Sequence, residues 1–260
     1  MSQQGRKWTL WAGAEDAKRS GRWTRWHDSG TKLAEGSFFA GKESGVWSRW
    51  FESGNLMAEG EMREGLEMGE WSFFHDAEGV KAAAGQMKSG VMDGLWTFWD
   101  VSGEKKAEGR LANGKRTGKW INWNENGSKR SEGEMVNDRE HGRWMEWFPD
   151  GARKSEGEYV AGNEQGLWQY FQGSGEQSTV TFKEGVKHGS FTRYFPNGTR
   201  AAEGEYRNGL LHGPFMSWYD NGNTREDGEF KENKKHSVWT NFTFDGEVEK
   251  KLEFKEGKRV

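Results

Sequence analysis

Six glutamates, Glu35, Glu59, Glu108, Glu132, Glu156 and Glu203, each stand directly before a glycine and recur at intervals of about 24 residues or twice that. Paired carboxylates can do general acid–base work, but only if two of them share a pocket in unlike environments. These recur singly beside Lys or Arg, which reads as a solvated charge ladder. Four of the six histidines, His141, His188, His212 and His236, sit just before a glycine or, at the last, Ser237. Equivalent positions in successive hairpins are two strand spacings, about 10 Å, apart, whereas Zn–N bonds are about 2 Å. The histidines therefore read as turn residues and no metal site is expected. The glycines are not spaced as a phosphate loop, and no Ser/His/Asp constellation is present. Neither a cofactor nor an enzymatic activity is expected.

That leaves the tryptophans. Trp and Tyr bury large areas at small entropic cost, so they concentrate at binding hot spots. The row Trp26, Trp50, Trp99, Trp123, Trp147 and Trp218 is the candidate partner-binding set. A second row, Trp23, Trp47, Trp96, Trp120 and Trp144, is expected to be structural.

Composition narrows the classes further. Of 260 residues, 32% are apolar and 30% charged, yet there are 16 Trp and 16 Phe, so the apolar material sits in a few large rings rather than in a disordered chain. The 38 Gly and three Pro mean that the backbone bends through glycine. A net charge of −3 gives no general attraction to nucleic acid or to an anionic membrane. With no Cys there is no disulfide framework. The first residues, MSQQGRKWTLWAGAEDAKRS, contain no apolar leader core, and no stretch is long and apolar enough for a membrane span. A cytoplasmic location is expected.

The elements that position the rings repeat. Units begin at Gly21, Gly45, Gly69, Gly94, Gly118, Gly142, Gly166, Gly189 and Gly213, with a degenerate one at Ser237. A fixed period in this range marks a repeat array. Each unit carries two turn signals. The first is a dipeptide such as Ser29-Gly30, Asn126-Gly127, Asp150-Gly151, Ser174-Gly175 or Asn197-Gly198, expected to form a two-residue type I′ turn with positive φ at both positions. The second, ending at Gly65, Gly114, Gly162 or Gly209, looks looser. Each unit is thus strand, tight turn, strand, longer turn.

A two-residue first turn sets the register. It places Trp23 across from Gly36, Trp47 from Gly60, Trp96 from Gly109, Trp120 from Gly133, Trp144 from Gly157 and Phe215 from Gly228, with Trp123 across from Arg130. Bare glycine backbone then gives the indole a flat surface to lie on. One face carries these rings, the Ala or Ser of the Ala-Glu-Gly segment, and Phe38, Met62, Met87, Leu111, Met135, Tyr159, Tyr206 and Phe230. The opposite, wetter face carries the candidate binding row, the glutamates, and Lys106, Arg130 and Lys154. A β-bulge between the two tryptophans of a unit would instead put both on one side.

The segment Gly189–Gly213, GSFTRYFPNGTRAAEGEYRNGLLHG, shows the pattern at its clearest, and it resembles the MORN repeat, specifically the variant in bacterial antitoxin-like proteins. The resemblance extends over about residues 21–257. It implies β-hairpins laid side by side into one elongated twisted antiparallel sheet, all-β, of about ten repeats. It also implies a non-catalytic scaffold for a protein partner, in the form of an antitoxin or immunity protein. A glycan or a phospholipid headgroup is the alternative ligand class. Residues 1–20 are expected to be an N-terminal half-repeat, 21–236 nine repeats, and 237–260 a capping repeat. Trp8-Thr-Leu-Trp11 is the expected place for homodimerisation through a sheet edge. Two units depart from the pattern: one has a longer first turn, Asp76–Gly79, and Ala-Ala-Ala-Gly85; the other reads Gln177–Phe182 without Glu-Gly and is one residue short. Either is repeat drift or a bend that shapes a partner groove.

Overall fold

The computed structural model of the chain describes residues 9–10, 19–173 and 175–260. The chain divides into two compact units, 1–128 and 129–260. Each is an antiparallel meander with no helix among its described residues, as the alternating aromatic pattern and the resemblance imply. The first unit holds β1 (Thr9–Leu10), β2 (Gly21–Trp26), β3 (Lys32–Phe39), β4 (Lys42–Trp50), β5 (Leu56–Arg63), β6 (Leu66–Phe74), β7 (Lys81–Lys88), β8 (Val91–Trp99), β9 (Lys105–Ala112) and β10 (Lys115–Trp123). The second holds β11 (Lys129–Val136), β12 (Arg139–Trp147), β13 (Arg153–Val160), β14 (Asn163–Phe171), β15 (Gln177–Lys183) and β16 (Val186–Tyr194), then β17 (Arg200–Arg207), β18 (Leu210–Trp218), β19 (Thr224–Lys231), β20 (Lys234–Phe242), β21 (Val248–Lys255) and β22 (Lys258–Arg259). Of the stretch Trp8–Trp11, only the backbone of Thr9 and Leu10 is described, paired with Thr24 and Trp23; the two tryptophans lie outside the described residues, as does Ser174 of the Ser174-Gly175 turn.

The two turn types are the reverse of the expectation. The type I′ turns are the ones that look loose: Ala40-Gly41, Glu64-Gly65, Asn113-Gly114, Ala161-Gly162 and Asn208-Gly209 have positive φ at both residues. The Ser-Gly and Asn-Gly turns have positive φ only at the glycine, 90° at Gly30 and 77° at Gly127. There the His27 N–H donates to the Thr31 carbonyl at 2.8 Å and the Gly30 N–H to the His27 carbonyl at 3.0 Å. This is a three-residue loop, a type I turn closed by a left-handed glycine.

The longer loop moves the register by one residue, and a β-bulge moves it back. Trp26 pairs with Lys32 but Arg25 with Ala34, so Leu33 is bulged; Met57, Lys106, Lys154 and Arg225 stand in the same position. The pairs Trp23–Gly36, Trp47–Gly60, Trp96–Gly109, Trp144–Gly157 and Phe215–Gly228 therefore form as expected. Nearer the turn the register differs: Trp147 faces Arg153, not Lys154. Trp120 and Gly133 fall in different units; Trp120 pairs with Gly109, and Gly133 lies under Trp144.

A second, wider bulge sits on the other side of each tryptophan. Thr117 pairs with Arg110 and Trp120 with Gly109, which leaves Gly118 and Lys119 as two extra residues on β10. The unit-starting glycine makes this possible, with φ of 64° at Gly118 and 73° at Gly45. The bulge decides where the indole lies. Each ring covers the glycine eleven residues upstream, across the type I′ turn, and not the glycine it faces across the longer turn. A Cβ built on Gly36 would fall 2.2–2.5 Å from the Trp47 ring, and Gly60, Gly109, Gly133 and Gly157 meet Trp71, Trp120, Trp144 and Trp168 in the same way. In each case the indole N–H donates to the carbonyl of the residue after the glycine, as from Trp47 to Ser37 at 3.0 Å and from Trp144 to Glu134 at 2.9 Å. Flat aromatic rescue is present, then, but on the opposite neighbour from the one expected.

The self-packing face has the expected members. Ala34, Ala58, Met62, Met87, Leu111, Met135, Ser131 and Ser155 are buried with Trp47, Trp96, Trp120 and Trp144, and Trp71 and Trp96 are at 1% and 0% exposure. In the first unit a further run of rings, Trp71–Phe73–Trp96–Phe98–Trp120, continues along the face at centroid spacings of 5.8–6.1 Å.

Both irregular repeats are absorbed locally. The extra residue before Val80 enlarges the loop, and Gly85 still lies under Trp96. The missing residue near Gln177 is the bulge itself, since β14 and β15 pair from Gly166–Phe182 to Phe171–Gln177 without a shift. Val180 there replaces the recess glycine and pairs with Phe191. That ring, barred from lying on a side chain, leans instead toward Gly204, where its Cε1 is 2.9 Å from a built Cβ.

Two substitutions test this arrangement. Gly60→Ala drives a methyl into Trp71 and is expected to destabilise the first unit by about 3 kcal/mol, seen as a lower urea midpoint. Ala161→Asn relieves a left-handed alanine and is expected to stabilise the second unit by about 0.5 kcal/mol, seen as a higher midpoint. An unchanged midpoint in the first case contradicts the recess.

Candidate partner-binding surface

Alternation along each strand puts the second tryptophan on the face away from the recess. Trp47 and Arg49 share the packing side, where Arg49 lies 5.2 Å over Trp71, so Trp50 turns to the other side. Trp26, Trp50, Trp99, Trp123, Trp147 and Trp218 are all half-buried.

The bulge near the first turn supplies their neighbours. By displacing Leu33 it returns Lys32 to the side of Glu35, three residues on. Lys32 Nζ then lies 2.6 Å from Glu35 Oε2 and 5.3 Å over the Trp50 ring. The same clamp recurs as Lys105 between Glu108, at 2.8 Å, and Trp123, at 5.5 Å, and as Lys129 between Glu132, at 2.5 Å, and Trp147, at 5.2 Å. Arg153 and Arg143 pair with Glu156 at 3.0 and 2.7 Å, and Arg200 with Glu203 at 3.0 Å. Lys106, Arg130 and Lys154 are the cations expected beside the candidate row, but the residue before each makes the ion pair. Lys106 and Lys154 occupy the bulge, and Lys154 reaches Glu146 at 3.2 Å, on the packing side with Ser155.

Five members of the glutamate row, Glu35, Glu108, Glu132, Glu156 and Glu203, are thus held in structural ion pairs. The Lys32 hydrogen bond, with Arg22 adding to it, holds Glu35 below the ordinary carboxylate value of 4.5. The Lys105 hydrogen bond does the same for Glu108, and Arg143 and Arg153 for Glu156. On the packing side, burial first and Glu164 next push the Tyr159 hydroxyl up to about 12, and burial pushes Tyr170 up as well. Neither phenol ionises near neutral pH.

The histidines are not turn residues. His141, His188, His212 and His236 lie in β12, β16, β18 and β20, just before the wide bulge. Among the described residues no group of three or more His, Cys, Asp or Glu is placed to hold a metal ion. His27 and His75 instead bond the main chain beside the next second-row ring, at the carbonyls of Trp50 and Trp99, at 3.0 and 3.1 Å.

The rings of the candidate row are set apart, since no ring contact joins Trp26 to Trp50 or Trp99 to Trp123 among the described residues. What the row shares its face with is a set of exposed aliphatics. Met62 pairs with Glu67 on the packing side, so Arg63 and its partner Leu66 point the other way. By the same alternation Phe39, Val46, Val91 and Leu95 join Leu66 in the first unit, and Val136, Val160, Leu167, Val186 and Leu210 share this face in the second; all are exposed, Val46 at 69% and Leu95 at 54%. Their common signal in the sequence is position: each flanks a type I′ turn or follows a unit-starting glycine.

Three segments, residues 43–64, 187–208 and 211–232, match the family described as the MORN repeat variant. They fall in both units and mark MORN-type repeats at those three places. No curated protein matches. Among solved structures, a TcdB2-TccC3 crystal structure is similar over 96% of this chain at 11% identity and a TM-score of 0.22; the chain spans 17% of that molecule. A porin-like protein from Bacteroides uniformis is similar over 92% of this chain and 86% of its own, at 7% identity and a TM-score of 0.19.

The ion pairs carry a pH dependence. A carboxyl with a depressed folded-state value contributes stability that is complete above its unfolded value and is lost as pH falls through the folded one. Urea midpoints of both units should therefore fall as the pH is lowered through and below 4.5. Glu156→Gln should flatten the fall in the second unit, and an equally steep fall in that variant contradicts the assignment.

Proposed function

We propose that the protein is a non-enzymatic scaffold that binds a protein partner through the face bearing the second tryptophan row. The observation that carries this reading is the exposed aliphatic set on that face, which lies beside half-buried indoles ringed by Lys–Glu pairs. Apolar surface of this extent with a charged rim is what protein interfaces bury. Trp50, Trp123 and Trp147 are held in place by their lysines, so little entropy is lost when a partner covers them. Anionic lipid is a poorer match, because the lysines over the rings, Lys32, Lys105 and Lys129, already have their carboxylates. The family resemblance supports an immunity or antitoxin role, with one tightly bound toxin as partner, in the cytoplasm.

Affinity capture from the native host with the full chain tests the reading. One dominant protein should be recovered in stoichiometric amount. Leu167→Glu and Trp147→Ala, with circular dichroism unchanged, should each weaken its retention by tenfold or more, equivalent to about 1.4 kcal/mol or greater. Undiminished retention by both variants would remove this face from the account.

A further inference from the structure

Not every half-buried ring of the second row is lysine-capped. At Trp50, Trp123 and Trp147 the residue eighteen positions upstream lies over the indole as a cation. At Trp218 that residue is Arg200, which turns to Glu203 instead, and no cation lies over the ring among the described residues. Trp218 lines a hollow of about 460 Å³ together with Phe195, Pro196, Tyr219, Asp220 and Arg225. This is within the usual size of small-molecule sites, roughly 300–1,000 Å³.

The hollow is preformed. Its two loops are tied together where the Asn197 Nδ2 donates to the Asp220 carbonyl at 3.0 Å. The next loop along is tied in by Tyr219 Oη donating to the Phe242 carbonyl and Asn221 Nδ2 donating to that of Phe244, both at 2.9 Å. The groups left for a ligand are few and specific. The Asp220 carboxylate makes no side-chain hydrogen bond or ion pair among the described residues. The Arg225 guanidinium has only a distant carboxylate, Glu226 at 3.8 Å.

We propose that this hollow binds a neutral pyranose, stacked on Trp218. The apolar C–H face of a sugar ring suits a flat indole. An ionised carboxylate can only accept, and so can take two neighbouring hydroxyls, while a guanidinium can only donate, and so suits the ring or hydroxyl oxygens. One fixed charge of each sign favours a neutral ligand over a phosphate, which Asp220 would repel, and over an ammonium, which Arg225 would repel. A polyproline segment could use the aromatic walls but would leave both charges unpaired. The site shares Trp218 with the second tryptophan row but needs no partner on the aliphatic surface, so its failure and that of the protein-binding reading are distinguishable.

Saturation-transfer difference NMR on the full chain tests it, with the methyl glycosides of glucose, galactose, mannose and N-acetylglucosamine as probes. The β-linked tetrasaccharides of glucose and N-acetylglucosamine distinguish a lone residue from a chain. Transfer to the ring C–H protons of at least one pyranoside is expected. Trp218→Ala and Asp220→Ala should each weaken binding by about tenfold or more, and Val101→Ala, at an exposed residue of the first unit, should leave it unchanged. Should Trp218→Ala lose its fold by circular dichroism, the Asp220→Ala arm decides. No transfer to any probe, equal transfer in the folded variants, or capture of inorganic phosphate or a polyproline peptide at Trp218 in place of sugar would overturn the proposal.

Discussion

An indole lying flat on a bare glycine is the constraint on which both units depend. A meander has no second layer to bury its large rings, so each ring must find cover within the sheet. Glycine supplies a recess, and the carbonyl after it accepts the indole N–H, so a buried donor is not left unpaired. Seven such contacts occur among the described residues, from Gly36–Trp47 to Gly228–Trp239. Burial of each ring is worth about 2–3 kcal/mol. The contact requires three things at once: a glycine on one strand, a two-residue bulge on the next, and a type I′ turn between them. This is why the glycine content is so high and why its positions repeat.

The contact also defines the structural repeat. Both clamps close across the same type I′ turn: Trp144 on Gly133 on one face, Lys129 on Trp147 on the other. The cohesive element is therefore a hairpin such as 129–147, tight at its turn and locked on both sides. The Asn-Gly loops join one locked hairpin to the next. The boundary between the two compact units, after Ser128, falls in such a joining loop.

Much of this was legible in the residues. Period, strand number, the two faces and the Trp–Gly pairs follow from glycine spacing and alternation. The turn types did not follow, because Asn-Gly is the favoured type I′ dipeptide while Ala40, Glu64 and Ala161 are poor residues for positive φ; tertiary contacts hold them there. The five pairs that lie within one unit came out right because two errors of one residue, in loop length and in the unseen bulge, cancel. Where they do not cancel, at Lys106 and Lys154, the expectation failed. The side on which each ring leans depends on the wide bulge, which alternation cannot show. The exposed aliphatics were passed over because single Val and Leu residues beside turns carry no motif. That Trp218 carries no cation depends on Arg200 pairing with Glu203, which residue type alone does not show.

The direct test of the central claim is the ring-current shift of glycine Hα protons by NMR. Replacing Trp168 with Leu should move the Hα resonances of Gly157 strongly downfield toward ordinary values, while replacing Trp144 should move those of Gly133 and leave Gly157 nearly in place. If instead Gly157 responds to Trp144, the ring it faces across the Asn-Gly-type loop, and not to Trp168, then the indoles lie on the other neighbour and the locked hairpin is wrong.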